Sequence, residues 1–207
     1  MFARSTTLIA EPSNADEAIG YVRDQVWPAV RELQGCLGLS MLVDRETGRS
    51  IVTTSWETQE AMRNSATAVL SMRDQGMRIA GASEPAVDEW EIASMHRTHA
   101  THPGTGVRTA WSRVPPAYVD RAVDFYKVAL LPQIEKLDGF ASASLLVDRA
   151  TGRAVTSVAF DSPEAMERTR DQADYLRARS TQEANVEFLD VAELELVIAH
   201  LHVPELV

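Results

Sequence analysis

Two arginine–histidine pairs, Arg4 with His96 and Arg108 with His200, stand at the same separation in the two halves of the chain. An arginine carries a permanent cation with a fork of donors suited to a carboxylate or phenolate, and a histidine exchanges its proton near neutral pH. Together they suit an anion clamp with a general base, which assigns catalysis to His96 and His200 and ligand contacts to Arg4 and Arg108. The alternative is a polar cluster at a sheet edge that serves only the fold. Glu89 and Glu91, like Glu193 and Glu195, alternate with Trp90 and Ile92 or with Leu194 and Leu196. Alternate residues of a strand share a face, so the two glutamates of each pair point the same way. Facing inward, Glu91 and Glu195 become ligand contacts or bases with raised pKa; facing outward, they are the solvated side of a strand.

Trp56, Trp90, Trp111, Tyr126 and Phe160 are enough aromatics to line a pocket for a flat organic molecule, with Trp56 and Phe160 as the leading contacts. Packing into a core is the competing role. His96, His99 and His102 recur every third residue and share one edge of an extended chain, an arrangement that zinc or copper accepts. The other half ends differently, in His200-Leu201-His202, so a solvated linker and no metal is the expectation. Cys36 has no activating neighbour in the sequence, and as the single cysteine it cannot form an intrachain disulfide. Phosphate loops, dinucleotide fingerprints, zinc-protease helices, nucleophile elbows and paired-cysteine motifs do not occur, so no cofactor is implied.

One shift relates all these pairs. Moving the sequence by 104 positions (108 − 4) lays Leu42-Val43-Asp44-Arg45 and Thr47-Gly48-Arg49 on Leu146-Val147-Asp148-Arg149 and Thr151-Gly152-Arg153. The same gapless register aligns Pro12, Pro28, Gly35 and Glu60-Ala61-Met62 with Pro116, Pro132, Gly139 and Glu164-Ala165-Met166. In all, 24 of 94 positions are identical, too many for unrelated segments held in one register. The chain is a duplication, with copy 1 at residues 1–97, a linker at 98–107, and copy 2 with its tail at 108–207.

Each copy has the same order of elements. A short strand (Ser5–Ala10; Thr109–Val114) leads into a helix whose apolar residues, from Ala15 to Leu33 and from Val119 to Leu137, recur at helical spacing. Pro28 and Pro132 must kink or split that helix, and Gly35 and Gly139 stop it. A hairpin follows (Cys36–Asp44 with Arg49–Trp56; Phe140–Asp148 with Arg153–Phe160), its Asp-Arg-x-Thr-Gly-Arg turn placing glycine where positive φ is needed. A second helix starts near Thr58 and Ser162, and a last strand covers Val87–His96 or Val191–His200. The fold class is α+β: tandem ferredoxin-like β-α-β-β-α-β repeats, each with one bare sheet face. Packing sheet to sheet covers both faces and makes an intramolecular pseudo-dimeric α/β barrel. Its first and last strands are expected to be neighbours, which brings Arg4 to His96 and Arg108 to His200, and the space between the sheets is where a ligand is expected.

The helix-Pro-helix-Gly segment, the Asp-x-x-x-Gly hairpin and the Trp56-Glu57-Thr58 or Phe160-Asp161-Ser162 start of helix two resemble the dimeric α/β-barrel superfamily, in particular antibiotic-biosynthesis-monooxygenase-like domains. The likeness covers roughly both halves, and the whole chain is similar to actinobacterial tandem proteins that bring no known activity. The resemblance implies a fused dimer and admits several chemistries, among them cofactor-independent oxidation of quinol-like aromatics and heme degradation. The heme-degrading set of a first-strand Asn, a third-strand Trp and a second-helix His is not matched: Trp56 is present, but neither first strand has Asn and neither second helix has His.

A net charge of −10 and a pI near 5.0 argue against nucleic acid and anionic membranes as partners. No apolar run is long enough to span a bilayer, and the N-terminus lacks a signal-peptide build, which points to the cytoplasm. The expected partner is a small aromatic or apolar ligand, with a further homo-oligomer left open. Two function classes remain: a small-molecule-binding barrel with cofactor-independent monooxygenase-like activity, and a non-enzymatic stress or assembly protein without a catalytic site.

Overall fold

The computed structural model describes residues 1–82 and 84–206; Ser83 and the last residue of the expected tail, Val207, lie outside the described residues. Copy 1 runs β1 (Phe2–Ile9), α1 (Ala15–Tyr21), α2 (Trp27–Val30), β2 (Cys36–Val43), β3 (Arg49–Trp56), α3 (Gln59–Asn64), α4 (Ala66–Ala80) and β4 (Ala86–Arg97). Copy 2 repeats the order with β5 (Thr105–Arg113), α5 (Val119–Phe125), α6 (Leu131–Ile134), β6 (Phe140–Asp148), β7 (Arg153–Phe160), α7 (Pro163–Arg168), α8 (Arg170–Ala184) and β8 (Glu187–Leu201). The strands hydrogen-bond in the order β1-β3-β2-β8-β5-β7-β6-β4 and the ring closes as a barrel. The tandem ferredoxin-like α/β barrel read from the sequence is therefore the fold. No helix among the described residues is long and apolar enough to cross a membrane.

Both last strands are longer than the residue pattern suggests, and each serves two places. The chain divides into two compact units: unit 1 holds Met1–Trp90 with Leu196–Val203, and unit 2 holds Glu91–Glu195 with the residues from Pro204 on. The division falls inside β4 and β8. Beyond Trp90, β4 pairs antiparallel with β6, from Glu91 opposite Val147 to Arg97 opposite Ser142. This overturns the expectation that Arg4 lies beside His96: Arg4 reaches Glu89, earlier on β4, while His96 falls opposite Ala143 of β6.

The prolines act where predicted, by a specific route. A proline inside an α-helix lacks its N–H and collides with the carbonyl four residues back. Here the turns before Pro28 and Pro132, at Val22–Val26 and Tyr126–Leu130, are π-helical. Trp27 N–H and Leu131 N–H reach back five residues, to Val22 O and Tyr126 O. The wider turn absorbs the proline and turns Val22 and Val26, or Tyr126 and Leu130, toward the sheet.

The second helix is also split, at Ser65 in copy 1 and Thr169 in copy 2, both buried. Its start is capped as expected, with Thr58 and Ser162 accepting from the N–H of Ala61 and Ala165. The hairpin turns explain the best-matched stretch of the repeat without any ligand. Gly48 and Gly152 have φ of 75° and 73°, and a Cβ on either would lie 2.0 Å from Ala10 O or 1.9 Å from Val114 O. Asp44 and Asp148 hold these turns by accepting from Glu46 and Thr47, or from Ala150 and Thr151.

Candidate functional site

In unit 1 the sheet and its covering helices do not meet everywhere. Arg4, Thr6 and Leu8 of β1 and Ser50, Val52 and Thr54 of β3 alternate onto the helix-covered face. Val22 and Val26 of the π turn, and Met72, Arg73 and Gly76 of α4, face them from above, enclosing a cavity of about 90 Å³. A single water needs roughly 10–15 Å³ of such space, so an organic group fits. The cavity lies between a sheet and its own helices, whereas the sequence reading looks for a ligand between the two sheets.

The polar groups of this cavity are few. Arg4 is buried, and it donates from Nη1 to Ser65 Oγ (3.0 Å) and from Nη2 to Met62 O (2.7 Å) and Glu89 Oε1 (2.9 Å). The break between α3 and α4 creates the site for this arginine: it frees the Met62 carbonyl and places Ser65 beside it. Tyr21 donates to Met72 O (3.2 Å), and burial pushes its pKa up against the opposing effect of Arg78, so the phenol stays protonated. Arg73 differs from both. Its Nε is buried and has no hydrogen-bond partner among the described residues.

Unit 2 carries the same frame with other side chains. Arg108 donates to Thr169 Oγ1 (3.0 Å), Met166 O (2.7 Å) and, from Nε and Nη2, Glu193 Oε1 (3.0 and 2.8 Å). Its guanidinium sits 5.6 Å from the centre of the Phe160 ring. Burial alone pushes Glu193 up, but hydrogen bonds from Arg170 and Arg108 outweigh it and hold the carboxyl below its ordinary value. Tyr126 stands where copy 1 has Val22, Leu130 where it has Val26, and Ser180 where it has Gly76. All three line two spaces in this unit, one of about 80 Å³ beside Arg108 and Phe160 and one of about 60 Å³ toward Val114 and Val186. The Tyr126 hydroxyl is buried with no partner among the described residues, and burial pushes its pKa well up. Arg177, the counterpart of Arg73, is ion-paired with Asp174 one turn back.

The residues singled out from the sequence scatter accordingly. Arg4 and Arg108 line the cavities, and Phe160 lines that of unit 2. Trp56 is fully buried in a cluster with Val30 and Met62, its indole N–H donating to Thr54 Oγ1 (3.0 Å). His96 and His200 line none of these cavities. His96 Nε2 lies 2.7 Å from Glu135 Oε1 and its ring stacks near Phe140, while His200 stacks on Trp27 at 4.7 Å with its pKa held down by burial. Glu91 runs against the idea of a raised-pKa base: hydrogen bonds from Arg149 (2.6 and 2.9 Å) hold its carboxyl below the ordinary value. Glu195 is half-buried on β8, on the face opposite the buried Leu194 and Leu196. His99 lies 2.7 Å from Asp161 Oδ1, and His102 Nδ1 lies 3.1 Å from Pro103 O. Among the described residues no three His, Cys, Asp or Glu side chains gather as a metal would require. Burial pushes the Cys36 thiol up, away from a reactive thiolate.

Arg73 and the Val22/Tyr126 difference escaped the sequence reading. A signal existed: Arg73 and Arg177 are identical under the shift, while Leu70 and Asp174, one helical turn before them, differ in charge.

No family model matches the chain. Two uncharacterized proteins of Mycobacterium tuberculosis are close relatives, Rv2557 at 53% identity over 207 residues and Rv2558 at 51% over 209. Each alignment covers 100% of this chain, with 92% of the first and 88% of the second. Among solved structures, a provisionally assigned monooxygenase of Fusobacterium nucleatum shares the fold at TM-score 0.69 and 14% identity, over 99% of this chain and 95% of its own. An anthrone oxidase-like protein does so at 0.67 and 16%, over 96% and 92%. A Listeria monocytogenes ferredoxin-fold protein related to antibiotic biosynthesis monooxygenases follows at 0.56 and 11%, over 96% of each chain. The chain therefore belongs to the family of these mycobacterial proteins and has the tandem dimeric α/β-barrel fold of antibiotic-biosynthesis-monooxygenase-like proteins.

Proposed function

We propose that the protein binds a small aromatic or otherwise apolar molecule in the cavity of unit 1. The observation that carries this reading is the cavity itself: about 90 Å³ between β1, β3 and α4, walled mainly by apolar side chains with a few placed polar groups. Concave, mostly apolar sites with convergent donors are how proteins hold small organic ligands. The finer reading is a monooxygenase-like reaction, in which a phenol- or quinol-like ligand loses a proton and its electron-rich anion is oxidised by molecular oxygen, chemistry that needs no bound cofactor. The likeness to an anthrone oxidase-like protein supports that choice of ligand class.

A thermal-shift screen of aromatic compounds tests the binding. Ligands that bind only the folded state raise the midpoint. Stabilisation is expected in the natural protein and lost in Val22→Tyr, which places in unit 1 the side chain that divides the space of unit 2. A panel that moves neither protein, or moves both equally, rejects the reading. Oxygen uptake with dihydroxyaromatics then tests the reaction. The Val22→Tyr variant should abolish uptake, whereas a His96→Ala, His200→Ala double variant should retain it if proton transfer happens in the cavity.

A further inference from the structure

Duplication provides an internal control for one charge. In unit 2, Arg177 is ion-paired with Asp174 on the same helix, so its cation is balanced within the chain. In unit 1 the position of Asp174 is taken by Leu70, an exposed apolar residue, and Arg73 keeps its cation without that carboxylate. Its Nε is buried and lacks an acceptor among the described residues. A buried donor without a partner is costly, and a charged one more so, which favours any bound group that brings an acceptor and a negative charge.

The rest of the lining agrees. Arg4 is already satisfied by Ser65, Met62 and Glu89, so its charge is balanced before a ligand arrives. The remaining polar lining residues, Thr6, Ser50, Thr54 and Tyr21, are neutral hydroxyls, and no Asp or Glu lines the cavity to compete for Arg73. The other walls, including Met72, Val69 and Val52, are apolar. One uncompensated guanidinium at the edge of an apolar space is matched by an apolar body bearing one anionic oxygen group.

We propose that the unit 1 cavity selects an organic anion, an aromatic or apolar body carrying a carboxylate or an ionised phenol or enol, with Arg73 as its counter-ion. This rests on the cavity being a ligand site and adds the charge of the ligand. An ionised phenol beside Arg73 would also be held in its deprotonated form, because a nearby cation favours the charged state.

Isosteric probe pairs separate charge from shape: benzoate against benzamide, and 2-naphthoate against 2-naphthamide, titrated calorimetrically at neutral pH. The natural protein should bind each acid about tenfold or more tightly than its amide, a difference of about 1.4 kcal/mol. Arg73→Met should erase the preference and Arg73→Lys restore part of it. Leu70→Asp, which supplies the carboxylate that copy 2 already has, should weaken the acids severalfold and leave the amides unchanged. Acids and amides bound alike in the natural protein would overturn the charge assignment while leaving the ligand site standing. An acid preference that survives Arg73→Met would overturn it too. Binding of neither member of either pair would reject both the charge assignment and the site beneath it.

Discussion

Units 1 and 2 hold their matched arginines in the same way, yet the cavity of about 90 Å³ beside Arg4 has as its counterpart in unit 2 smaller spaces of about 80 and 60 Å³. Arg4 and Arg108 each use a hydroxyl at a helix break, a methionine carbonyl and a glutamate. Around that constant frame, Val22 against Tyr126 and Val26 against Leu130 decide whether the space beneath the π turn is open. The packing follows suit. In unit 2 one cluster runs from Val119 and Tyr126 to Phe160 and Leu176. In unit 1 the core residues fall into separate groups around Leu39 and Met41, around Ala18 and Ala80, and around Val30 and Trp56. The difference shows how a duplicated chain can keep one frame in both halves while the space beside it differs in size and lining. Charge divides the same way, since unit 2 neutralises Arg177 internally and unit 1 leaves Arg73 to be matched.

The strongest way to test the shared frame is to remove its arginine. Replacing Arg108 with Met leaves Glu193 with Arg170 alone and the Met166 carbonyl with only the Thr169 hydroxyl as a side-chain donor, and should cost about 3 kcal/mol, since breaking one side of a buried pair exceeds the worth of the pair. The Arg4→Met variant should cost less, because Glu89 is more exposed than Glu193 (39% against 28%) and returns to water more readily. Urea unfolding of both variants gives the comparison, and equal losses would show that the two frames are not ranked by burial.

Opening unit 2 is the next largest effect. Tyr126→Val should merge its two spaces, cost about 2 kcal/mol in lost packing, and create a second site for the aromatic probes. Tyr126→Phe deletes only the unpartnered hydroxyl and should be neutral or stabilising by up to about 1 kcal/mol. If the valine variant gains no binding, steric filling is not what separates the units.

The smallest effect concerns acid. Glu91 is held below its ordinary carboxylate value by Arg149, so the pair contributes above that ordinary range and its contribution is lost as pH falls through the lowered value. Glu91→Gln should lower stability slightly at pH 7, by roughly 0.5 kcal/mol or less after solvent screening, and the gap to the natural protein should close as pH falls below the lowered carboxylate value. A gap that persists in acid, once the carboxylate is protonated, would mean the glutamate acts through packing and not through charge.

Much of this molecule was readable from residue types and spacing. Asp44 and Gly48 with their partners announced two hairpins, Pro28 and Pro132 announced two broken helices, and Thr58 and Ser162 announced two caps; each of these is a local matter settled by a few adjacent residues. The π turns were not readable, because the wider register appears only when the helix must bypass proline while packing on a sheet. The histidine pairing failed for a similar reason. Period two shows which side of β4 a residue occupies, but not its register against a neighbour, and here Arg4 reaches Glu89 while His96 falls opposite Ala143.

The sequence by itself determined the duplication, the order of elements in each copy and the α+β barrel class, since these follow from one gapless repeat and from short-range periodicity. Tertiary structure alone decided that Arg4 meets Glu89 and not His96, that the cavity lies under the helices, and that Arg73 faces it without a carboxylate. Those outcomes depend on which side chains meet across long sequence separations. There a single change such as Val22 to Tyr126, invisible to hydrophobic pattern, decides whether space remains.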